Sequence, residues 1–95
     1  MKFAVTIEYN GDAEKVKATH AAHREYLRRF LENGQLRAAG PFKDAAGCFW
    51  VMEAENETTV ETIVKADPFF QAGIILGWKL YPLAYWSAQA AKGET

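Results

Sequence analysis

The hydrophobic period of this chain switches between two and 3.6 residues several times, and the order of the switches restricts the fold more than any single motif does. Across residues 2–9 the large apolar side chains occupy every second position, which predicts a β-strand with one buried face. These side chains are Phe3, Val5, Ile7 and Tyr9. Asn10, Gly11 and Asp12 then form a turn and a helix cap, and a helical pattern follows to about Glu32. A strand followed by a long helix is therefore the first unit of the fold.

The predicted first helix carries both histidines of the chain on its apolar stripe. Steps of four, three, four and three residues join the members of this stripe: Val16, His20, His23, Leu27 and Phe30. Both imidazoles are therefore expected to face the core. Because a buried imidazole needs a hydrogen-bonding partner or a reactant, identifying that partner is the first step towards the function.

The remaining periodic segments complete an alternating arrangement of strands and helices. Strands are predicted at 35–42, 48–54 and 75–81, a second helix at 57–66, and a further helical turn at 67–73. Pro41 cannot donate to a sheet ladder, so its strand is expected at an edge, whereas segment 48–54 is apolar on both faces and is expected at the centre. The order β-α-β-β-α-β predicts an α+β, ferredoxin-like fold, with both helices on one face of a four-stranded antiparallel sheet.

The composition provides more large apolar side chains than one small core easily buries, since 49% of the residues are hydrophobic and 14% are aromatic. We expect a single domain at residues 1–86 and a flexible tail at 87–95. Apolar groups lie on both sides of the predicted strands, Trp50 or Trp78 among them. The sheet face that the helices leave open is therefore predicted to pack against a second copy, which gives a homodimer through the sheet faces.

The charge pattern argues against several classes of partner. A formal net charge of −1 provides no electrostatic footprint for a nucleic acid or an anionic membrane. The apolar run near the N-terminus is short and is broken by Thr6 and Glu8, so we expect neither a signal peptide nor a membrane span, and we expect a cytoplasmic protein. Cys48 is the only cysteine, which excludes an internal disulfide and a thiolate metal site within one chain.

The spacing of His20 and His23 permits two interpretations. Residues three apart lie on one face of a helix, as metal ligands can, but the zincin pattern needs a four-residue spacing with an intervening glutamate, and here Ala21 and Ala22 intervene. Two core histidines bonded to the backbone or to each other are the structural alternative. We expect no metal.

Asp67 is the best candidate partner for a histidine, because a carboxylate that accepts a ring N–H fixes the tautomer of the imidazole. An aspartate before Pro68 is also what simple helix capping predicts. Both roles are compatible, since a carboxylate has two oxygens. Elsewhere, Tyr26 borders the apolar stripe and could reach the pocket of His23, while the basic cluster is expected to be a solvated face: Arg24, Arg28 and Arg29.

The ordered set of motifs resembles the YCII-related (YciI-like) family of small bacterial proteins. The residues that carry the resemblance cover nearly the whole chain: His23, Tyr26-Leu27, Gly34-Gln35-Leu36, Gly40-Pro41-Phe42, Asp67-Pro68-Phe69, Ala72-Gly73 and the segment from Trp78 to Pro82. The resemblance implies a ferredoxin-like fold that dimerises as an α+β barrel, with a His–Asp active site that corresponds to His23 and Asp67. It also implies kinship with a dehydrochlorinase of a chlorinated hydroxyquinol and, more distantly, with muconolactone isomerase and cofactor-free barrel monooxygenases.

One departure from the family pattern concerns His20, which stands where members of the family often carry arginine. A titratable group there replaces a permanent cation, so His20 is a second proton-transfer group or a hydrogen-bonding group that orients His23. The candidate substrate-binding residues are His20, Tyr26, Gly40, Pro41 and Phe69.

The leading hypothesis is a small, cofactor-independent enzyme in which His23, oriented by Asp67, moves a proton on a small cyclic or aromatic substrate. One positioned base is sufficient for an isomerisation or an elimination. The sequence contains no glycine-rich phosphate loop. The alternative is a non-catalytic dimer that binds a small molecule or a protein, in which the His–Asp pair is a structural hydrogen bond. A metal-binding domain is the third hypothesis.

Overall fold

The structure, a computed structural model, describes residues 1–85, so the predicted tail at 87–95 lies outside the described residues. The elements follow the predicted order, with the extra helical turn as a third helix: β1 Lys2–Tyr9, α1 Ala13–Glu32, β2 Leu36–Pro41, β3 Gly47–Glu53, α2 Glu57–Lys65, α3 Pro68–Gln71 and β4 Ile75–Leu83. The α+β, ferredoxin-like prediction is confirmed.

The four strands form one antiparallel sheet in the order β2-β3-β1-β4. Strand β3 lies inside the sheet, as its apolar pattern predicted. Strand β2 lies at an edge, as Pro41 predicted. Strand β4 continues beyond the predicted Tyr81 to Leu83, because Pro82 still pairs with Phe3 of β1. A proline is tolerated here because β4 is the other edge of the sheet.

The helices begin where short polar side chains cap them. The Asp12 side chain accepts a hydrogen bond from the backbone N–H of Lys15 at 3.1 Å, and Asn56 accepts one from Thr59 at 2.8 Å. Helix α1 ends before Gly34, whose φ of 85° is the left-handed conformation that glycine adopts without strain. No helix within residues 1–85 is long and apolar enough to span a membrane.

The core lies between the sheet and the helices, and it includes the tryptophan of β3. Trp50 pairs with Val5 of β1, and both side chains are fully buried on the helix-covered face. Trp78 pairs with Ile7 and therefore shares that face, where its ring meets Phe70 edge-on at 5.8 Å between centroids. Both tryptophans therefore lie on the helix-covered face.

The open face carries a different set of apolar side chains. By the strand register these are Phe49, Val51, Tyr81 and Leu83, of which Phe49 and Tyr81 are exposed in the single chain. The sequence indicated apolar groups on both faces of the sheet but not which residues belong to which face, because a run that is apolar at every position has no period to orient it.

At Gly47 the backbone of β1 leaves no room for a side chain on β3. A Cβ atom built on this glycine would overlap the carbonyl oxygen of Ile7, which belongs to the backbone and cannot move aside. Glycine is therefore required where β3 begins, next to Cys48.

Candidate active site

His23 and Asp67 come from different helices and meet in the interior. His23 lies in the middle of α1, Asp67 immediately precedes α3, and the His23 Nδ1 atom is 2.8 Å from the Asp67 Oδ1 atom. Only 8% of His23 is exposed and Asp67 is fully buried. The structure thus brings together the two residues that the sequence analysis paired.

Asp67 fulfils both of the roles that the sequence permitted. Its Oδ1 atom also accepts a hydrogen bond from the backbone N–H of Phe69 at 2.9 Å, which caps the short helix that Pro68 begins. The other carboxylate oxygen, Oδ2, is buried and has no hydrogen-bond partner within residues 1–85. One oxygen therefore both starts α3 and holds the imidazole.

This arrangement determines which nitrogen of His23 is available for chemistry. The Asp67 Oδ1 atom is an acceptor, since it already accepts a hydrogen bond from a backbone N–H. The Nδ1 atom of His23 therefore carries the ring proton and donates a hydrogen bond to Asp67. Nε2 makes no hydrogen bond to any residue of the described part of the chain. In the neutral ring its lone pair is free to accept a proton.

Phe69 holds the imidazole from one side. The rings of His23 and Phe69 are stacked, with centroids 3.8 Å apart and planes 2° from parallel, and the Tyr9 ring meets Phe69 edge-on at 5.3 Å. Burial raises the pKa of Tyr9, and the neighbouring Cys48 and Asp67 raise it further. The Tyr9 side chain therefore remains a neutral hydroxyl at physiological pH.

A cleft of about 820 Å³ opens beside this pair, between α1 and the β2–β3 hairpin. Its lining includes His23, Phe69 and Cys48, together with Gly40 and Pro41 of β2, which the sequence analysis selected as candidate substrate-binding residues. The lining is mostly apolar, and the volume is in the range of small-molecule sites. The cleft can hold a single-ring compound next to the imidazole.

His20 lies at the rim of the cleft and is exposed, so the prediction that it faces the core is wrong. In α1 only His23 and Leu27 are buried, and Val16 is partly exposed. The reason is that the first half of α1 borders the open cleft instead of packing on the sheet. Its rim position keeps His20 a candidate for contact with a ligand.

Tyr26 does not line the cleft, contrary to the sequence-based expectation. Its hydroxyl donates a hydrogen bond to the backbone carbonyl of Ile63 at 2.6 Å and so joins α1 to α2. Burial raises the pKa of Tyr26 to about 12; the charge of Asp67 also raises it, and the charge of Arg29 lowers it. Tyr26 is a structural contact between helices.

Several cleft residues were missed by the sequence analysis. Lys17, Arg24 and Arg28 line the rim, although Arg24 and Arg28 were expected on a solvated face. Steps of three and four residues join these three side chains to His20 along one side of α1, and this spacing was the available signal. Trp50 also borders the cleft, and its indole N–H has no hydrogen-bond partner within residues 1–85.

Cys48 lies in the wall of the cleft but is not equipped as a nucleophile. Burial raises the pKa of this thiol from 9.0 to about 11, and nearby Tyr9 and Trp50 offset only part of that effect. The thiol is therefore protonated at neutral pH, and Cys48 packs as a small buried hydrophobe. Within residues 1–85 no three His, Cys, Asp or Glu side chains are close enough together to hold a metal ion.

The fold and the site define a class of protein: a small ferredoxin-like α+β domain with a buried His–Asp pair at the edge of an open cleft. The chain belongs to the YCII-related domain family, whose family model matches residues 1–84. The resemblance inferred from the ordered motifs is thereby confirmed.

Two known proteins are similar to this chain over most of its length. The protein YjpA of Bacillus subtilis (strain 168), described as uncharacterised, is 38% identical over 72 residues, which are 70% of this chain and 85% of that protein. Among solved structures, 5-chloro-2-hydroxyhydroquinone dehydrochlorinase of Burkholderia phenoliruptrix AC1100, in complex with 2,5-dihydroxybenzoquinone, superimposes with a TM-score of 0.79 at 26% identity. That likeness covers 90% of this chain and 96% of the dehydrochlorinase chain.

Proposed function

We propose that this protein is a small enzyme that transfers a proton on a small cyclic or aromatic compound, with His23 as the acid–base group and Asp67 as its orienting partner. The observation that carries the proposal is the 2.8 Å hydrogen bond from Nδ1 to Asp67, which leaves Nε2 of a cleft-lining residue without a partner in residues 1–85. A base held in one tautomer and one orientation typically contributes about 10²- to 10⁴-fold to a rate.

The proposed chemistry is an isomerisation or an elimination. In an isomerisation, Nε2 of His23 removes a proton from one atom of the substrate and returns it to another. In an elimination, Nε2 takes the proton, the electron pair forms a double bond, and a leaving group such as chloride departs with its own electron pair. The similarity to a dehydrochlorinase supports the second form. Neither step needs a metal or a nucleotide, so we propose a cofactor-independent reaction.

Asp67 stabilises the imidazolium that forms when Nε2 takes the proton, because the carboxylate is 2.8 Å away and fully buried. An interaction between opposite charges is stronger in a buried site than in water. Stacking on Phe69 keeps the ring from turning during the transfer. The pair therefore provides both the base and its orientation.

The homodimer through the sheet faces is part of the same proposal. The open face presents Phe49 and Tyr81 to solvent in the single chain, and apolar side chains of this size are usually covered at an interface. Sedimentation of the protein at micromolar concentration is expected to give a dimer, and Phe49→Glu is expected to give a monomer. A monomeric parent protein would contradict this part of the proposal.

The cytoplasmic location remains a prediction, for which cell fractionation is the test.

The test of the function combines a ligand titration with an assay of turnover. Purified protein is titrated with 2,5-dihydroxybenzoquinone while the histidine resonances are followed by NMR, and chlorinated hydroquinones are assayed for release of chloride. We expect the His23 signals to shift and the variants His23→Gln and Asp67→Asn to lose turnover at least 100-fold, as loss of a general base implies. Glu57→Gln, the same acid-to-amide change on an exposed helix start, is the control.

The alternative function, a non-catalytic binding domain, predicts a different pattern. In that case no turnover is found, even with a compound that binds and shifts the histidine signals, and His23→Gln and Asp67→Asn change only stability or affinity. This outcome would make the His–Asp pair a structural hydrogen bond only.

A further inference from the structure

The rim of the cleft concentrates positive charge in a chain that is slightly acidic overall. Three cationic side chains line the cleft, against one carboxylate, while the formal net charge of the whole chain is −1. The cations are Lys17, Arg24 and Arg28, all on α1. A cleft with charge of one sign and apolar walls focuses the electrostatic field on its contents.

The partners of these charges show which of them are available to a ligand. Arg28 lies 3.5 Å from the carboxylate of Glu25, so part of its charge is compensated. The carboxylate across the cleft, Asp44, accepts a hydrogen bond from the backbone N–H of Ala46 in its own loop at 2.9 Å. Lys17 and Arg24 have no hydrogen bond or ion pair with another residue of 1–85. They are the two free cations of the rim within that part of the chain.

Lys17 and Arg24 flank His20 on α1. They are separated by two helical turns, or about 10 Å along the axis, and steps of three and four residues join them to His20 on one side of the helix, which lines the cleft. Successive side chains on a helix point about 100° apart, so Arg24 is exposed at the rim while the preceding residue, His23, is buried. The long, flexible side chains of Lys17 and Arg24 can both reach an anionic group placed between them at the rim, while the ring of the ligand lies over the apolar wall.

We propose that the cleft recognises a ring compound that carries a negative charge on oxygen, and that Lys17 and Arg24 bind this group at the rim. This inference rests on the proposed function, since it names the class of substrate that His23 acts on. The anionic oxygens stay at the mouth of the cleft, where water and the two cations solvate them. The uncharged part of the ring enters between Pro41 and Phe69 and reaches Nε2 of His23.

His20 gives the proposal a test by gain of binding. It stands at the same rim, one turn before Arg24, and it carries no permanent charge. His20→Arg adds a fixed cation there and is expected to tighten the binding of an anionic ring compound about 3- to 5-fold, the range for one partly exposed ion pair. A neutral compound of the same shape is expected to bind unchanged.

The experiment compares 2,5-dihydroxybenzoate with its neutral amide, 2,5-dihydroxybenzamide, by calorimetry and by the histidine NMR signals. We expect the carboxylate to bind more tightly than the amide. Its affinity is expected to fall as the salt concentration is raised, because salt screens the attraction between charges. Lys17→Met and Arg24→Met are each expected to weaken it about 3- to 5-fold and the double variant about 10-fold. Arg29→Met is the matched control, because Arg29 lies over the Tyr26 ring at 5.2 Å and does not line the cleft.

The outcomes separate this inference from the function on which it rests. Equal affinity for the carboxylate and the amide, or a double variant that binds the carboxylate like the parent protein, overturns the role of the two cations. If the His23 signals still shift in that case, the proposed function stands. If neither compound binds at millimolar concentration and the histidine signals do not move, both the anionic substrate and the proposed function are contradicted.

Discussion

Replacing Asp67 with alanine is expected to destabilise the domain more than loss of a helix cap alone. The Oδ1 atom accepts hydrogen bonds from His23 at 2.8 Å and from the backbone of Phe69 at 2.9 Å, and Asp67→Ala removes both. Loss of the cap costs about 1 kcal/mol. Loss of a buried hydrogen bond to a charged group costs about 2 kcal/mol. Removal of the unpartnered Oδ2 atom returns part of that cost.

The net cost of Asp67→Ala is therefore about 2 to 3 kcal/mol, which lowers the melting temperature of a domain of this size by about 10 to 20 °C. Asp67→Asn keeps an oxygen at the position of Oδ1 and a good helix cap, so its cost is expected to be about 1 kcal/mol or less. The assay is equilibrium unfolding in urea, followed by tryptophan fluorescence, because Trp50 is fully buried in the folded domain.

A second capping aspartate provides the control for this measurement. Asp12 caps α1 through Lys15 without a buried partner, so Asp12→Ala measures the cap alone, about 1 kcal/mol. The reasoning is refuted if Asp67→Ala costs no more than Asp12→Ala, because the bond to His23 would then contribute nothing to stability. It is also refuted if Asp67→Asn is as destabilising as Asp67→Ala.

Three further predictions follow from single contacts. Gly47→Ala is expected to cost more than about 2 kcal/mol in urea unfolding, because the new Cβ overlaps the Ile7 carbonyl. Gly40→Ala is the control and is expected to cost less than about 1 kcal/mol, because the space around Gly40 is open. Since burial raises the Cys48 pKa from 9.0 to about 11, the unfolded chain ionises first as pH rises. The stability that this thiol contributes below pH 9 is lost towards pH 11, and Cys48→Ala should show a smaller loss. Tyr26→Phe is expected to cost about 1 kcal/mol and leave ligand affinity unchanged, since it breaks the bond between α1 and α2 outside the cleft.

The fold was largely predictable because each element carries its own local signal. The alternation in β1, the length of α1 and its cap at Asp12 depend only on neighbouring residues, and each agrees with the structure. The face of the sheet on which Trp50 lies was not predictable from β3 alone, since every position of its central run is apolar. The register with β1 decides it, and register is a property of two distant segments.

The candidate site was predictable in its centre and not at its rim. Helical periodicity placed His23 inward, and the Asp-Pro start of α3 drew attention to Asp67. The same periodicity wrongly buried His20 and left Arg24 on a solvated face, because it describes the direction of a side chain and not whether another element covers it. The gap between α1 and the β2–β3 hairpin forms only when segments far apart in the chain fold together.

One Asp67 oxygen both caps α3 and binds His23, which limits what the presence of this aspartate in a relative can indicate. Whether or not the pair transfers protons, α3 needs a hydrogen-bond acceptor at this position, so stability alone favours aspartate or another good capping residue such as asparagine. His23 has no such second task in the helix backbone, and an apolar side chain of similar size would fill its place against Phe69. If the proposed proton transfer is correct, retention of the histidine is therefore a sharper indication of it in a relative than retention of the aspartate.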